Sequence, residues 1–527
     1  MAPMTVAEMT NWQRSFTEGR GSQLSAEQVA DPSVPTLLAE AARQWPGKVA
    51  VQETGDGVTL TWAYLDNAAH ALARALLDAG IEPGDRVALR LPTSAAFAVS
   101  LFGALRAGAV VVPISPQAPV AELAGLLEHS GARLVLEREA TEELPDGVTS
   151  LSPPVTSDGA AEPVDAAGSG EDIAVISYTS GTTGPPRGVM LSHRALLTNL
   201  DQLSRIVPAP LVHGDRVLIT IPLFHVYGLG PGLLQTTSVG ATAILSERFL
   251  AERTLADCAE YRVTSIAGVP AMYAEFAAMD PDELGAGLST VRRMTSGAAP
   301  LHPKILTALR GATGLDVYEG YGLTECAPVV TTTLVTGYPK PGSVGRPLPG
   351  VELRLVDSDG DAEPVPLDPD DLGDAFDEDG GTGLVSIRGA NLFSGYWPDG
   401  SHGPDEDGWF RTGDVGYLDT DGDLHLVDRA NDLIIVNGFN VFPHEVENVI
   451  SMLDEVVEAG VVGVVDERTG EAVKAVVVPA PGASLSEQQV VEHCAEHLAG
   501  YKVPHTVEFA ESLPHSATGK LRRLRLR

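Results

Sequence analysis

Through its first two-thirds this chain alternates short apolar, β-branched runs with amphipathic stretches, and that alternation leaves few folds open. Residues 85–91 read as a strand, 95–107 as a helix and 109–114 as a second strand. Residues 216–221, 263–267 and 291–295 repeat the strand pattern between helical segments. Such βα alternation predicts an α/β architecture with substantial parallel sheet. Ligands of such sheets favour the loops at the carboxyl ends of strands. A chain of 527 residues exceeds one small core, so two or more domains are expected. A smaller α+β unit begins near Asp428, with a helix over 443–451, strands over 459–465 and 472–478, and a helix over 486–499. Residues 145–171 and the acidic run 357–380 read as linkers or solvated loops.

Charge and cysteine usage exclude several classes. The formal net charge is −36, which repels nucleic acid and anionic membranes. It equally repels anionic small molecules, so any such ligand needs local cations. Three scattered cysteines (Cys258, Cys326, Cys494) lack metal spacing and suit a reducing, cytoplasmic setting. The first twenty residues lack a signal-peptide core, and no apolar window is long enough to span a bilayer.

The run Tyr178 to Val189 reads Y-T-S-G-T-T-G-P-P-R-G-V. Small residues let the backbone approach an anion with its N–H groups forward, while Thr179, Ser180, Thr182 and Thr183 add hydroxyl donors. Gly181 and Gly184 free the backbone, and Arg187 adds a fixed charge. A strand over 172–178 precedes the run, and Ser192 is placed to cap a helix over 194–203, so the pattern reads as strand, phosphate loop, helix. It lacks the Gly-Lys-Ser/Thr ending of a Walker loop. By composition alone a flexible surface turn is the better reading, and the order of residues reverses it. The order of residues resembles the phosphate loop of the adenylate-forming superfamily, which includes acyl-CoA synthetases, luciferases and peptide-synthetase adenylation domains. Arg187 stands where that family usually has lysine, so a planar fork replaces a point charge.

The resemblance extends over roughly residues 35–523. Pro222-Leu-Phe-His-Val-Tyr-Gly-Leu229 resembles the acyl-pocket motif, which implies His225 near the substrate carboxylate and Val226, Tyr227 and Gly228 along the pocket. No acid occurs from Ile219 to Val239, which disfavours an amino-acid substrate. Thr295-Ser-Gly-Ala-Ala-Pro300 resembles the adenine loop and implies Gly297, Ala298 and Ala299 as contacts. Tyr318-Glu-Gly-Tyr-Gly-Leu-Thr-Glu325 resembles the central nucleotide motif. It implies Glu319, Gly320, Tyr321 and Gly322 around ATP, with Tyr321 stacked on adenine. Thr324 is implied near the α-phosphate and Glu325 as a Mg²⁺ ligand. Asp414 is the implied ribose ligand, since a carboxylate accepts two hydrogen bonds from a diol, and Arg429 lies near ribose or phosphate. Pro514-His-Ser-Ala-Thr-Gly-Lys520 resembles the turn whose lysine bridges carboxylate and α-phosphate.

The domain boundaries implied are a large adenylating domain over 1–428, a hinge over 429–431 pivoting at Asn431, and a small mobile domain over 432–527. Asn437, Gly438 and Phe439 would line a coenzyme A channel. The function implied is an AMP-forming acyl-CoA synthetase using ATP, Mg²⁺, a carboxylic acid and coenzyme A, a ligase of fatty-acid-type metabolism. An acyl-AMP ligase loading an acyl carrier protein, or an adenylating enzyme with an unusual acid or a non-thiol acceptor, remains the alternative.

Overall fold

The computed structural model describes residues 32–141, 144–154, 160–179, 186–356, 382–429, 434–436, 439–466, 469–515 and 521–527. Four sheets organise these residues. The largest has nine strands around a parallel centre of six. In spatial order these are Val317–Gly322, Arg293–Ser296, Ser265–Gly268, Arg216–Ile219, Thr242–Leu245 and Val49–Glu53. A second sheet has six strands, five of them parallel, including Arg86–Arg90, Val110–Pro113 and Ile173–Thr179. Central strands such as Val110–Pro113 and Thr242–Leu245 are buried throughout, as parallel strands covered on both faces are.

The helix Ala95–Arg106 is buried on nearly every side, capped by the Ser94 hydroxyl accepting from the Phe97 N–H. Its one buried charge, Arg106, is neutralised by Asp66 at 2.5 Å. A buried cation without that partner would cost several kcal/mol, on the order of 3–5.

A four-stranded antiparallel sheet follows: Glu352–Val356, Gly383–Arg388, Trp409–Leu418 and Leu424–Arg429. It ends at Arg429. The last sheet has five strands from Ile434–Val436 to Thr506–Phe509, with helices Pro443–Ile450 and Glu487–His497. It has its own apolar cluster of Val446, Ile450, Val461, Val477 and Val490. Ser486 caps the second helix in a reciprocal capping box with Gln489.

Two expectations are corrected. The phosphate-like run does not lead from strand to helix. It joins two antiparallel strands, Ile173–Thr179 and Arg187–Ser192, paired Thr179 to Arg187. The helix His193–Ser204, capped by Ser192, therefore starts at the far end of the second strand, about 20 Å away at roughly 3.3 Å per residue. Its N-terminal dipole cannot serve the loop, because that field fades within a turn. The stretch 145–171 is also less free than a linker. Thr149–Leu151 adds a strand to the second sheet, and the backbone N–H groups of Ala161 and Val164 donate to Asn67 and His70 of the helix Trp62–Asp78. The acidic run 357–380 lies outside the described residues. Among the described residues no helix is long and apolar enough to cross a membrane.

Candidate active site

The carboxyl ends of the parallel strands converge as the α/β pattern requires. The strand Val317–Gly322 leads through Leu323 into a single turn, Thr324–Cys326, that carries Thr324 and Glu325. Tyr321 is buried within that strand, and its phenol donates to Asp414 Oδ2 at 2.6 Å. Asp414 lies on Trp409–Leu418 of the four-stranded sheet, directly opposite Arg429 in the ladder. Two motifs 93 residues apart, on different sheets, thus meet through one short hydrogen bond. Asp414 is itself only 8 % exposed, and a carboxyl so buried needs hydrogen-bond partners such as this phenol.

The glycines between these residues serve the backbone. A Cβ on Gly322 would stand 2.0 Å from the Pro328 carbonyl oxygen, and one on Gly320 would stand 3.2 Å from the Thr331 oxygen. Gly322 is therefore dictated by the close approach of the following strand, a different reason from nucleotide contact. Glu319 turns its carboxylate to the Leu301 N–H at 3.1 Å and so ties the adenine-type loop to the neighbouring strand. Burial pushes its pKa up to about 7, against the lowering effect of the Leu301 N–H. Within that loop Ala298 holds φ +72°, a left-handed conformation that costs a non-glycine residue about 1 kcal/mol or more.

His225 has a fixed tautomer. Its Nδ1 accepts the Tyr227 N–H at 3.2 Å, so the single proton of the neutral ring sits on Nε2. Burial lowers its pKa to about 4. No protein acceptor for the Nε2 proton occurs among the described residues, which leaves a neutral donor. The Tyr227 ring packs on Gly297: a Cβ there would lie 3.3 Å from Cε1. The acyl-type motif and the adenine-type loop therefore touch at this ring. Burial pushes the Tyr227 phenol up to about 12, and it lies 3.4 Å from Thr295 Oγ1.

Val226 and Gly228 are both buried. Val226 joins Leu223, Leu229 and Leu233 in the main core, the face that helical spacing turns inward. Gly228 starts the π-helical segment Gly228–Leu234, where a Cβ would stand 2.4 Å from the Pro222 oxygen. The apolar residues packed with Tyr227 are Ile221, Ala267, Val269, Met272 and Phe249. The sequence reading did not single them out; Ile221 lies just past the strand Arg216–Ile219, Val269 and Met272 just past Ser265–Gly268, which contains Ala267, and Phe249 past Thr242–Leu245.

Of the phosphate-like run, Thr179 and Arg187 are described as the first paired residues below the turn, while Ser180, Gly181, Thr182, Thr183 and Gly184 lie outside the described residues. The Arg187 guanidinium stands over the Tyr396 ring, 5.4 Å from its centroid. The Tyr396 phenol donates to Glu325 Oε1 at 2.7 Å. A short peptide makes this meeting: the Trp397 N–H donates to the Gly188 carbonyl at 2.7 Å, the Ser394 N–H to Met190 at 2.9 Å, and the Phe393 N–H to Glu325 at 2.9 Å. Tyr396 was not singled out by sequence.

Asn431, Asn437, Gly438 and Lys520 lie outside the described residues, and Arg429 and Phe439 are placed by backbone alone. The chain on either side of Lys520 is held: His515 and Leu521 bridge antiparallel, His515 meets Glu458 at 2.7 Å, and Arg523 meets Glu447 at 2.7 Å. Elsewhere, the carboxylates of Asp419, Asp421 and Asp423 converge on Lys340, whose ammonium already supplies their cation. Glu325 fits a magnesium ion by its chemistry: a hard carboxylate, oriented through one oxygen by Tyr396, with the other oxygen left for a ligand.

Comparison with known proteins matches this arrangement to the AMP-binding enzyme family over residues 38–397, and to the AMP-binding enzyme C-terminal domain over residues 445–520. The chain belongs to the AMP-binding enzyme family. Among similar AMP-binding enzymes, a feruloyl-CoA synthase of an Amycolatopsis species is 38% identical over 488 residues, 91% of this chain and 95% of that protein. A long-chain-fatty-acid–CoA ligase of Yersinia pestis is 32% identical over 530 residues, 89% of this chain and 90% of that protein. The structure of ATP-bound MatB from Rhodopseudomonas palustris superimposes with a TM-score of 0.83 at 30% identity, covering 94% of this chain and 98% of that one.

Proposed function

We propose that this AMP-binding enzyme is an ATP-dependent acid–thiol ligase that forms an acyl-adenylate and then an acyl-CoA thioester. The observation that carries the reading is the Tyr321–Asp414 pair, which sets an aromatic face and a diol acceptor side by side above the turn of Thr324 and Glu325. The names of the relatives, CoA synthases and ligases of carboxylic acids, support the same reading. The large domain over 1–428 binds ATP and acid; the segment 432–527 turns about 429–431 between the two steps. Three buried free cysteines favour a cytoplasmic setting.

In the first step a carboxylate oxygen bonds to the α-phosphorus and the bond to the pyrophosphate bridge breaks. Both reactants are anionic in a chain already strongly negative, so the work is positioning and charge stabilisation. His225 donates its Nε2 proton in a hydrogen bond to the acid and holds it without taking a charge. Arg187 and the hydroxyl run hold the outer phosphates, Thr324 the α-phosphate, and Lys520 bridges the two reactants. Glu325 would hold a magnesium ion, which supplies charge neutralisation on the phosphates. In the second step a thiolate attacks the acyl carbon and AMP leaves with the electron pair of the broken anhydride bond; the Gly438 loop admits the pantetheine arm.

A panel of carboxylic acids, run with ATP and with or without coenzyme A, tests this. Pyrophosphate exchange that depends on the acid, followed by acyl-CoA and AMP, is the expected result. Exchange without acyl-CoA for every acid would move the protein to carrier-protein loading or another acceptor. Lys520→Ala should lower exchange about 10²-fold or more while sparing thioester formation from supplied acyl-adenylate.

A further inference from the structure

The phenol of Tyr396 stands between the two charges that a Mg·ATP site most needs to keep apart. On one side the Arg187 guanidinium lies over its ring at 5.4 Å; on the other its hydroxyl donates to Glu325 Oε1 at 2.7 Å. Arg187 and Glu325 make no ion pair with each other among the described residues. A guanidinium and a carboxylate this near would otherwise close into a forked pair, the strongest two-residue match either can make. Such a pair would neutralise the cation meant for phosphate and the anion meant for the metal.

We infer that Tyr396 is a positioning residue of the nucleotide site: it holds the Glu325 carboxylate toward the bound divalent cation and keeps Arg187 available to phosphate. This rests on the reading of the site as one for Mg·ATP. Three features make the placement rigid. The peptide bearing Tyr396 is bridged to Val189 of the hairpin strand. Its neighbour Phe393 donates to the backbone of Glu325 itself, and Phe393 also packs edge-on against the Tyr396 ring at 5.1 Å. Gly188 leaves the space the peptide occupies, since a Cβ there would stand 3.2 Å from Trp397 Cβ. Arg187 and Glu325 are thereby fixed relative to one another by a single side chain that contacts both.

Tyr396→Phe keeps the ring under Arg187 and removes only the hydroxyl. The magnesium concentration that half-saturates ATP–pyrophosphate exchange should rise about tenfold or more, the usual weight of a hydrogen bond to a charged group. Thioester formation from supplied acyl-adenylate and coenzyme A should stay within about twofold, because that step uses neither outer phosphate. If Tyr396 acts through Glu325, the Tyr396→Phe/Glu325→Gln double variant should be no worse than Glu325→Gln alone. An unchanged magnesium requirement overturns the inference, as does equal loss in both half-reactions, which would make the tyrosine a fold residue. A wild type without exchange for any acid would count against the ligase reading instead. Calorimetric titration with ATP and magnesium would then decide the point for Tyr396 by the same tenfold criterion.

Discussion

Protonation is the perturbation that best separates two roles for His225. With its pKa lowered to about 4 by burial, about 3 % of the ring is charged at pH 5.5, against about 90 % for a histidine at the ordinary 6.5. The geometry works in the same direction. Nδ1 faces the Tyr227 N–H at 3.2 Å, and a proton there would set donor against donor. Acid-dependent pyrophosphate exchange should therefore show no limb near pH 6.5 attributable to this residue. A general base would show one, with rate falling tenfold per pH unit below its pKa. Substitution tests the same point sterically. Glutamine reaches the Nε2 position with an amide N–H; asparagine reaches only toward Nδ1. Loss of a donor to a carboxylate is worth about 1.5–3 kcal/mol, or about 10–100-fold. His225→Asn should lose that factor and His225→Gln much less of it. Imidazole resonances of His225 titrating near pH 6.5, or asparagine outperforming glutamine, would refute the neutral-donor account.

Other outcomes follow from single contacts. Tyr321→Phe keeps the ring and removes the 2.6 Å donor to Asp414, so calorimetry should show ATP binding about tenfold weaker; unchanged affinity would mean that Asp414 needs no orienting phenol. Gly322→Ala puts a Cβ 2.0 Å from a backbone oxygen that cannot step aside, and should destabilise the fold by about 3 kcal/mol or more in urea. Gly320→Ala, at 3.2 Å, should cost distinctly less. Glu319 is raised to about 7 by burial, so its contribution is fully present below the unfolded value near 4.5 and is lost as pH rises through 7. Glu319→Gln, which can still accept from Leu301, should accordingly be more stable than wild type by about 1–3 kcal/mol at pH 8, with the gain vanishing toward pH 4.5. His193 has the opposite sign: held near 4 by burial, it withdraws stability as pH falls from 6.5 toward 4, and His193→Asn should flatten that part of the curve.

Local pattern determined the elements well. The strands read at 85–91 and 109–114 are Arg86–Arg90 and Val110–Pro113, and the helix read at 95–107 is Ala95–Arg106 with its serine cap. Periodicity and capping act over one or two turns, so they are written in consecutive residues. The motif order also identified the family, because Tyr321, Glu325 and Asp414 are informative as residue types in sequence. What sequence could not contain was pairing at long range. That the phosphate-like run closes a hairpin was decided by the second sheet, where Arg187–Ser192 finds an edge beside Ile173–Thr179. That Val226 turns into the core while Tyr227 packs on Gly297 depends on how a helical segment is rotated against its sheet. Tyr396 carries no signal of its own in the chain. It matters because backbone hydrogen bonds to Gly188, Met190 and Glu325 bring a peptide 71 residues past Glu325 between a cation and an anion. Contacts of that kind are set by the packing of whole sheets, and only the tertiary structure decides them.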